Sequence, residues 1–492
     1  MTGLSPLVAG GLVFFTSAAV LVLEILAGRL LAPYVGVTLE TYTAIIGTVL
    51  AGIAAGTWAG GWAADRIEPR SLLGSLLVTG GVLSLATVPL TRSFGSYFSD
   101  PGRGSVVVLV VFTFFSPAAV LSALNPSVVK LQLRDLSVTG SVVGQLSALG
   151  TAGAIVGTFV AGFVLVDLFP TTTSILVLGG LLVLAGTVLW ARFSRTTKGS
   201  RAVAVVLLVL AGAGVAAGDP CDVETKYHCA RVEVDGARPG GRLLVLDRLN
   251  HSYVDLHDPT HLQFRYAKVF ADVIAALAPA GPLDAVHVGG GGFTLPRYLR
   301  VVRPGSTNVV LEIDGGVLDL ARDRLGLRTG SGLEVRVGDA RLLLDALPRH
   351  HYHVVLGDAF GGTAVPWHLT TTEFVEAVRD SLRPGGFYVL NLIDQPPVRF
   401  GRAEAATLQR EFAHAALVAP RALVEGRAGG NFVLVGSDRE IDAGALQARI
   451  AARGGKEEVV VDGALTTFVA GAPVLTDDHA PVDQWLARAR RS

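Results

Sequence analysis

Charged residues are scarce in this 492-residue sequence, at 17% where a soluble domain carries about a quarter. Acids are rarest in residues 1–218, which hold seven of them against eleven bases, whereas residues 219–492 hold 34 acids and 30 bases. The net charge of zero therefore hides a basic first part and an acidic second part. This excludes a soluble protein of uniform composition and predicts a membrane half followed by a soluble half.

Basic stripes and cysteine clusters are also missing. Without a basic stripe, we expect no nucleic-acid partner. The cysteines are Cys221 and Cys229, whose spacing is unusual for zinc and which no second pair accompanies, so we expect no metal site. The pair forms a disulfide if it lies outside the cytoplasm, or remains two reduced small residues, and both interpretations stay open.

Long hydrophobic runs are plentiful in the first half. A span needs roughly 20 apolar residues, and six segments qualify: 7–32, 41–64, 72–91, 105–124, 138–168 and 171–191. A seventh, 202–218, is uncharged but short. The first segment has no basic leader and more spans follow it, so it is not a cleaved signal peptide. We predict a multi-pass protein of the cell membrane, with the lipid bilayer as a partner.

Positive charge collects in cytoplasmic loops, and here it follows the second, fourth and sixth spans. The bases concerned are Arg66, Arg70, Lys130, Arg134, Arg192, Arg195, Lys198 and Arg201. The N-terminus and the loop after the sixth span are therefore predicted to be inside. The soluble half is outside if 202–218 crosses and cytoplasmic if it does not. The cysteine pair favours the outside and a nucleotide ligand favours the inside, so the side stays open.

Two features inside the spans point to packing or function. Glu24 is either a substrate or proton site or half of a structural ion pair. Gly47, Gly52, Gly56 and Gly60 lie on or near one helix face, which predicts close helix packing.

The soluble half changes pattern twice. Residues 222–258 alternate with period two, which predicts a small antiparallel β region. Strands such as AVHV, NVVLEID and YHVVLGDAF then alternate with helices, which predicts a Rossmann-like, methyltransferase-type α/β domain with a mostly parallel sheet and helices on both faces. The predicted domains are 1–218 (membrane), 219–262 (β region) and 263–492 (α/β).

Ligands of such sheets bind beyond the carboxyl ends of the strands. Glycines 289–292 follow the first of these strands and allow a ligand to approach the backbone. Glu312, Asp339 and Asp358 end the next three strands. A carboxylate at Glu312 suits a ribose diol, one at Asp339 suits an adenine amino group, and the alternative for each acid is a helix N-cap.

A second acidic cluster, LTDDHAPVDQW, contains Asp477, Asp478 and Asp483. Its alternative interpretation is a solvated loop with a helix cap.

The motifs LDRLNHSYVDLHDP, HVGGGG, LEID, VGDA and YHVVLGDAF resemble the spermidine/spermine synthase (polyamine aminopropyltransferase) family. LEILAGRLLAPYVG, GGWAADR and GQLSALGTAGAIVGT are similar to the membrane part of bacterial fused transporter-like/spermidine-synthase proteins. The resemblance implies transfer of an aminopropyl group from decarboxylated S-adenosylmethionine, as a co-substrate, to a small-molecule amine. It implies no tightly bound cofactor, and it leaves a homodimer open.

The resemblance also assigns roles. Asp358 would be the general base, Glu312 would hold the ribose, and Asp339 with Ala340 would hold the adenine. Gly289, Gly290 and Gly291 would contact the nucleotide, His228 after Tyr227 would stand near the mouth of the nucleotide site, and Tyr227, Asp477 and Asp478 would bind substrate.

The departures from the family lie on the acceptor side. Gly292, followed by Phe293, replaces the acid of GGGDG, Gly361 replaces the second acid of D-x-x-D-P, and residues 262–264 read LQF instead of Tyr-His-Glu. Because an unpaired buried ammonium is heavily penalised, we expect an acceptor other than putrescine that is larger, less charged or delivered by the membrane. The alternative is that Asp477 and Asp478 fold over the crevice and replace the missing acids.

Two other functions stay open. One is a transporter or sensor whose soluble domain binds a nucleotide or polyamine without catalysis. The other is an S-adenosylmethionine-dependent methyltransferase on the same sheet, because one fold hosts many reactions.

Overall fold

The computed structural model describes residues 4–35, 39–98, 103–133, 135–193, 221–362 and 365–489. The chain divides into two compact units, Met1–Cys229 and Ala230–Ser492. The domain borders predicted at 218/219 and 262/263 stay predictions. The seventh predicted span, 202–218, lies outside the described residues.

The first unit is mainly helical. Its helices are α1 Pro6–Val35, α2 Leu39–Arg66, α3 Pro69–Phe94, α4 Arg103–Val110, α5 Ser116–Ser122, α6 Leu124–Gln132, α7 Thr139–Val160, α8 Val166–Leu168 and α9 Thr171–Phe193. Short π-helical turns join α4 to α5 and α7 to α8. Six segments of the described residues are long and apolar enough to cross a bilayer: Pro6–Val35, Glu40–Arg66, Pro69–Phe94, Val106–Gln132, Thr139–Leu168 and Thr171–Phe193. The six predicted segments are confirmed as long, apolar and mainly helical, and their crossing of a membrane stays a prediction.

Glycines on α2 allow it to pack tightly against the fourth span. An added Cβ at Gly52, Gly56 or Gly60 would come within 3.0 Å of the backbone of that span, and at Gly56 it would overlap Ala119. The predicted packing face is confirmed at these three positions. Gly47 has open space around it and does not contribute to this contact.

One end of the helical bundle carries the residues that follow the last described helix. Lys226 Nζ lies 2.9 Å from Asp167 Oδ1, just before α9 begins. Thr172, in the first turn of α9, donates its hydroxyl to Glu224 over 3.0 Å. Since α9 has 23 residues and spans about 34 Å, residues 224–226 lie at the opposite end of α9 from Phe193.

A small antiparallel sheet with strand order β1-β2-β3-β4 follows, as predicted for 222–258. Its strands are β1 Val223–Glu224, β2 Cys229–Val234, β3 Gly241–Leu246 and β4 Leu249–Asp255. Cys221 and Cys229 form a disulfide, with their Cα atoms 5.2 Å apart. Of the two interpretations of the cysteine pair, the structure has the disulfide.

The second unit is built on an eight-stranded sheet of order β12-β10-β11-β9-β8-β5-β6-β7. The strands are β5 Asp284–Val288, β6 Thr307–Glu312, β7 Glu334–Val337, β8 Tyr352–Gly357, β9 Leu382–Asp394, β10 His414–Pro420, β11 Gly430–Ser437 and β12 Glu457–Val461. Strands β5 to β9 are parallel, as predicted.

The prediction of a mostly parallel sheet is wrong for β10, β11 and β12, which all pair antiparallel. The segment between Pro420 and Gly430 explains part of this difference. It is shorter than the dozen or more residues that a parallel crossover needs, so β10 and β11 pair as an antiparallel hairpin. The result is a mixed sheet of the Rossmann-like, methyltransferase type.

Helices cover both faces of this sheet. They are α10 Arg265–Leu277, α11 Thr294–Val302, α12 Gly315–Arg324, α13 Ala340–Asp345, α14 Thr372–Ser381, α15 Arg399–Glu411, α16 Arg421–Val424, α17 Ala443–Ala452, α18 Asp462–Val469 and α19 Val482–Ala489. On β8, Val355 packs in the core with Phe374 of α14, while Val354 and Leu356 pack in the core with Phe270 of α10. This alternation places one core on each face, as predicted.

The glycine contact of α2 generates the first prediction. Gly56→Ala should lower the melting temperature of the purified full chain, because the new methyl group overlaps the Ala119 backbone and overpacking costs about 1–3 kcal/mol. Gly47→Ala is the matched control, on the same helix and with open space, and should not lower it. Equal melting temperatures for the two variants would contradict the packing described for α2.

Candidate functional site

Four strand ends meet at one edge of the sheet, because β5, β6, β7 and β8 are parallel neighbours. The glycine loop 289–292 follows β5, and Glu312 is the last residue of β6. Asp339 lies two residues after β7, and Asp358 lies one residue after β8. The predicted nucleotide and base residues of the second unit therefore lie at a common edge.

Glu312 is bound to the glycine loop. Its Oε2 accepts hydrogen bonds from the backbone N–H groups of Gly290 at 2.7 Å and Gly291 at 3.2 Å, and its Oε1 accepts one from Asp314 N at 2.9 Å. The side chain is 7% exposed. Burial raises the pKa of Glu312 although these three hydrogen bonds act to lower it. Glu312 thereby fixes the end of β6 against the loop after β5.

Asp339 caps α13. Its Oδ1 accepts a hydrogen bond from Arg341 N at 2.9 Å, and its Oδ2 lies 3.3 Å from His368 Nε2. The alternative interpretation of Asp339 as a helix cap is thus confirmed, and its adenine role stays a prediction. Ala340, the first residue of α13, is buried beneath it.

Asp358 is held by two side chains from distant parts of the chain. Its Oδ2 accepts a hydrogen bond from Tyr266 Oη at 2.9 Å, and its Oδ1 accepts one from Asn391 Nδ2 at 2.9 Å. Asn391 in turn accepts a hydrogen bond from Asn431 Nδ2 at 2.9 Å. Burial raises the pKa of Asp358 to about 7, against the opposing effect of the Asn391 and Tyr266 hydrogen bonds. A carboxyl group with such a pKa can take up or release a proton near neutral pH.

A small cavity lies beside Asp358. Its volume is about 20 Å³, which is close to the room that one water molecule needs. The lining comes from β4, α10, α11 and the ends of β5 and β8, and includes Ser252, Tyr253, Gln263, Phe264, Tyr266, His287, Gly289, Gly290, Thr294 and Asp358. The cavity has room for a single small group next to the Asp358 carboxylate.

The structure explains why an acid is absent at Gly292. Its N–H donates to Ser252 Oγ at 2.9 Å, and an added Cβ would lie 2.8 Å from Ser252 Cβ and 3.2 Å from Val254 Cγ2. Phe293 follows with a φ of 58°, a left-handed conformation that is rare for a bulky residue. Its fully buried ring packs in the core with Val254 and Val310. Strand β4 therefore fills the space that a side chain at position 292 would need.

The acids of the C-terminal cluster are placed differently. Asp477 accepts hydrogen bonds from both terminal nitrogens of Arg341, at 2.8 and 2.7 Å, and from Thr371 Oγ1 at 2.7 Å. Burial acts to raise the pKa of Asp477, but the Thr371 and Arg341 hydrogen bonds outweigh it and hold the pKa below its usual range. Asp478 and Asp483 are exposed. The charge of Asp477 is compensated by Arg341, and the substrate roles of Asp477 and Asp478 stay predictions.

Tyr227 and His228 belong to the first unit. Both donate their backbone N–H groups to Thr225 Oγ1, at 3.2 and 2.9 Å, in the turn before β2. Their predicted place near the nucleotide stays a prediction. Across the part of the chain that the structure describes, no three His, Cys, Asp or Glu side chains are grouped to hold a metal ion.

The two partners of Asp358, Tyr266 and Asn391, were not predicted from the sequence. Tyr266 is 92 residues from Asp358 in the chain and Asn391 is 33 residues away, so only the fold brings them together. The sequence does indicate that Asn391 has a polar partner, because it is an amide in the middle of the apolar strand FYVLNLID and a buried amide needs a hydrogen-bond partner.

The chain is similar in sequence to proteins that are named as transferases. No protein-family model matches the chain. The chain is 28% identical over 366 residues to polyamine aminopropyltransferase 2 of Streptomyces coelicolor. This alignment covers 68% of this chain and 64% of that protein. The chain is also 28% identical over 139 residues to polyamine aminopropyltransferase of Vibrio vulnificus. That alignment covers 28% of this chain and 46% of that protein. The chain thus spans less than two thirds of the length of either relative.

Among solved structures, a probable spermidine synthase from Corynebacterium glutamicum matches with 29% identity and a TM-score of 0.49, over 53% of this chain and 97% of that structure. The sequence relatives are named polyamine aminopropyltransferases, and the chain carries six apolar helices ahead of its Rossmann-like domain. Together these findings confirm the resemblance to fused membrane and synthase-like proteins.

The crowding at Gly292 generates a second prediction. Gly292→Asp should lower the melting temperature of the full chain and fail to create putrescine turnover, because its Cβ meets β4 and overpacking costs about 1–3 kcal/mol. Gly361→Asp is the matched control, since position 361 is exposed and its Cβ would meet only Pro366 Cγ at 4.0 Å. If Gly292→Asp is as stable as the control and gains activity on putrescine, the crowding argument is wrong.

Proposed function

We propose that this chain is a membrane-anchored aminopropyltransferase that uses decarboxylated S-adenosylmethionine and an amine acceptor other than putrescine. The observation that carries the proposal is Asp358, a carboxyl group with a pKa of about 7 beside a cavity at the carboxyl edge of the sheet. Such edges are where ligands of these sheets bind. The sequence similarity to polyamine aminopropyltransferases supports the same reaction class.

Asp358 would act as the general base. An acceptor amine is protonated at neutral pH and cannot attack, so its ammonium must first be oriented and then lose a proton. As the amine nitrogen closes on the aminopropyl carbon, the carbon–sulfur bond breaks and its electron pair neutralises the sulfonium, leaving methylthioadenosine. The proton from the nitrogen passes to Asp358. Tyr266 and Asn391, which donate to its two oxygens, would keep the carboxylate oriented towards the nitrogen.

Glu312 and Asp339 would hold the nucleoside. A carboxylate offers about four lone-pair positions, and the backbone hydrogen bonds of Glu312 occupy two on Oε2 and one on Oε1. Oε1 therefore retains a position for a ribose hydroxyl. Asp339 would accept from the adenine amino group, with its orientation fixed by its bond to Arg341 N.

The acceptor side would select an amine with few charges. Gly292 faces β4 and carries no acid, Gly361 is exposed, and the charge of Asp477 is paired with Arg341. Of the predicted acceptor-side acids of the second unit, Asp358 and the exposed Asp478 have no described ion pair, and Asp358 is the one of the two that lines the cavity. A bis-cation such as putrescine would leave its far ammonium unpaired, which burial penalises.

Catalysis is tested with Asp358→Asn in the full chain, supplied with decarboxylated S-adenosylmethionine and a panel of amines. Release of methylthioadenosine should fall by about 100-fold or more, since a positioned base contributes that much, while methylthioadenosine still binds by calorimetry. The wild-type kcat/KM should rise as the pH rises through about 7, because the base must be deprotonated. Asp345→Asn, at an exposed acid at the end of α13, is the control and should change neither readout.

The same raised pKa predicts the pH dependence of folding. Because the folded state keeps the Asp358 proton to a higher pH than the unfolded chain does, the contribution of Asp358 to stability is lost as the pH rises through about 7. Asp358→Asn should remove that loss in thermal melts.

Fast turnover of putrescine in the transferase assay would contradict the proposal of an altered acceptor. Formation of S-adenosylhomocysteine from S-adenosylmethionine would indicate a methyltransferase, and nucleotide binding without any turnover would indicate a sensor.

The contacts of residues 224–226 support a proposal for the location of the soluble half. They lie at the end of α9 opposite Phe193, and the positive-inside pattern places the Phe193 end in the cytoplasm. We therefore assign residues 221–229, with their disulfide, and the soluble half that continues from them to the outer face. Disulfides persist in such oxidising environments.

This placement favours the sensor as the second candidate function, because a nucleotide co-substrate would have to reach the outer face. Thiol labelling distinguishes the sides. A membrane-impermeant maleimide should label Cys221, the less buried of the two cysteines, in the Cys229→Ser variant of intact cells, and should label the wild-type chain only after reduction. Labelling that needs broken cells would place the soluble half inside.

A further inference from the structure

A second cavity lies in the first unit, far in sequence from the Asp358 site. Its volume is about 330 Å³, within the range of pockets that hold small molecules. Helices α1, α2, α5, α6 and α7 form its walls. Six of its lining residues are polar: Thr16, Ser17, Ser122, Asn125, Ser147 and Thr151. None of the described lining residues is charged.

Hydrogen bonds within the helices determine what this lining offers. Thr16 Oγ1 donates to Leu12 O at 2.9 Å, and Thr151 Oγ1 donates to Ser147 O at 3.0 Å. Each hydroxyl has one proton and two lone pairs, so both threonines retain acceptor positions only. Asn125 Oδ1 is buried and has no hydrogen-bond partner among the described residues. At Thr16, Thr151 and Asn125 the lining therefore presents hydrogen-bond acceptors to a ligand.

A carboxylate extends the same wall. Val13, Ser17 and Val20 of α1 line the cavity, and Glu24 lies four residues beyond Val20, on the same helix face. Within the part of the chain that the structure describes, no cation pairs with Glu24. An ionisable residue inside a span is costly and marks a substrate or ion path more often than packing.

We propose that this cavity is a binding site for a small aliphatic amine, held by acceptor oxygens of Asn125 and Thr151 and drawn in by Glu24. An amine or ammonium supplies the donors that these acceptors lack. An anion is disfavoured, because no described lining residue is basic. This site lies in a different unit from Asp358, and its existence does not require the proposed transferase activity.

The test measures binding of radiolabelled n-butylamine, an aliphatic amine with a single charge, to the full chain in lipid nanodiscs. Thr151→Val and Asn125→Leu should each weaken binding by about tenfold, the effect of losing one hydrogen bond to a charged group. Thr158→Val is the matched control. Thr158 lies on the same helix, donates to Ala154 O at 3.0 Å in the same way, and does not line the cavity, so it should leave binding unchanged.

Every variant is also measured with Asp358→Asn present, which separates this site from the soluble one. Loss of transfer with butylamine binding intact concerns the transferase proposal alone. The membrane site is overturned if Asp358→Asn abolishes all butylamine binding or if the wild-type chain binds none. It is equally overturned if Thr151→Val and Asn125→Leu have no effect, or if Thr158→Val weakens binding as much as they do.

Discussion

The contact between Glu312 and the glycine loop determines the geometry of the soluble site. Two parallel strands end side by side, and the carboxylate of one accepts the backbone N–H groups that follow the other. Those N–H groups have no partner within a regular element, so the carboxylate satisfies them and fixes the loop at the same time. Helix α11 starts directly after the loop, and β4 contacts Gly292 within it. The position of the Glu312 side chain therefore also fixes where β4 forms the wall of the proposed acceptor side.

That wall explains how the two sides of the site can differ so much. The proposed nucleotide side consists of strand ends, where backbone direction alone places Glu312, Asp339 and Asp358 at one edge. The proposed acceptor side depends on how closely β4 approaches the loop, and here it approaches so closely that a Cβ at Gly292 would meet Ser252. The buried ring of Phe293 then occupies the core behind the loop. The absence of an acid at position 292 is thus a consequence of packing as well as of composition.

Sequence alone predicted the six spans, the small β region and the strand ends that carry Glu312 and Asp358, because each follows from local periodicity or from the direction of parallel strands. It could not predict the antiparallel strands β10 to β12, because an isolated apolar run does not encode its partner. It could not identify Tyr266 as a partner of Asp358, since that contact joins residues 92 apart. Nor could it show that Arg341 compensates Asp477 across 136 residues.

The same electrostatic constraint applies to the cavity of each unit, because each has one carboxylate near it. In the soluble unit one carboxylate, Asp358, stands beside the cavity, and in the membrane unit one carboxylate, Glu24, lies beyond a wall of neutral oxygens. Removing a second ammonium from water without a carboxylate to receive it costs several kcal/mol, so neither cavity suits a ligand with two buried charges. A ligand with a single positive group leaves no second charge unpaired, and its N–H groups can donate to the neutral hydrogen-bond acceptors. An amine that binds in both units is therefore one whose charge is concentrated at one end.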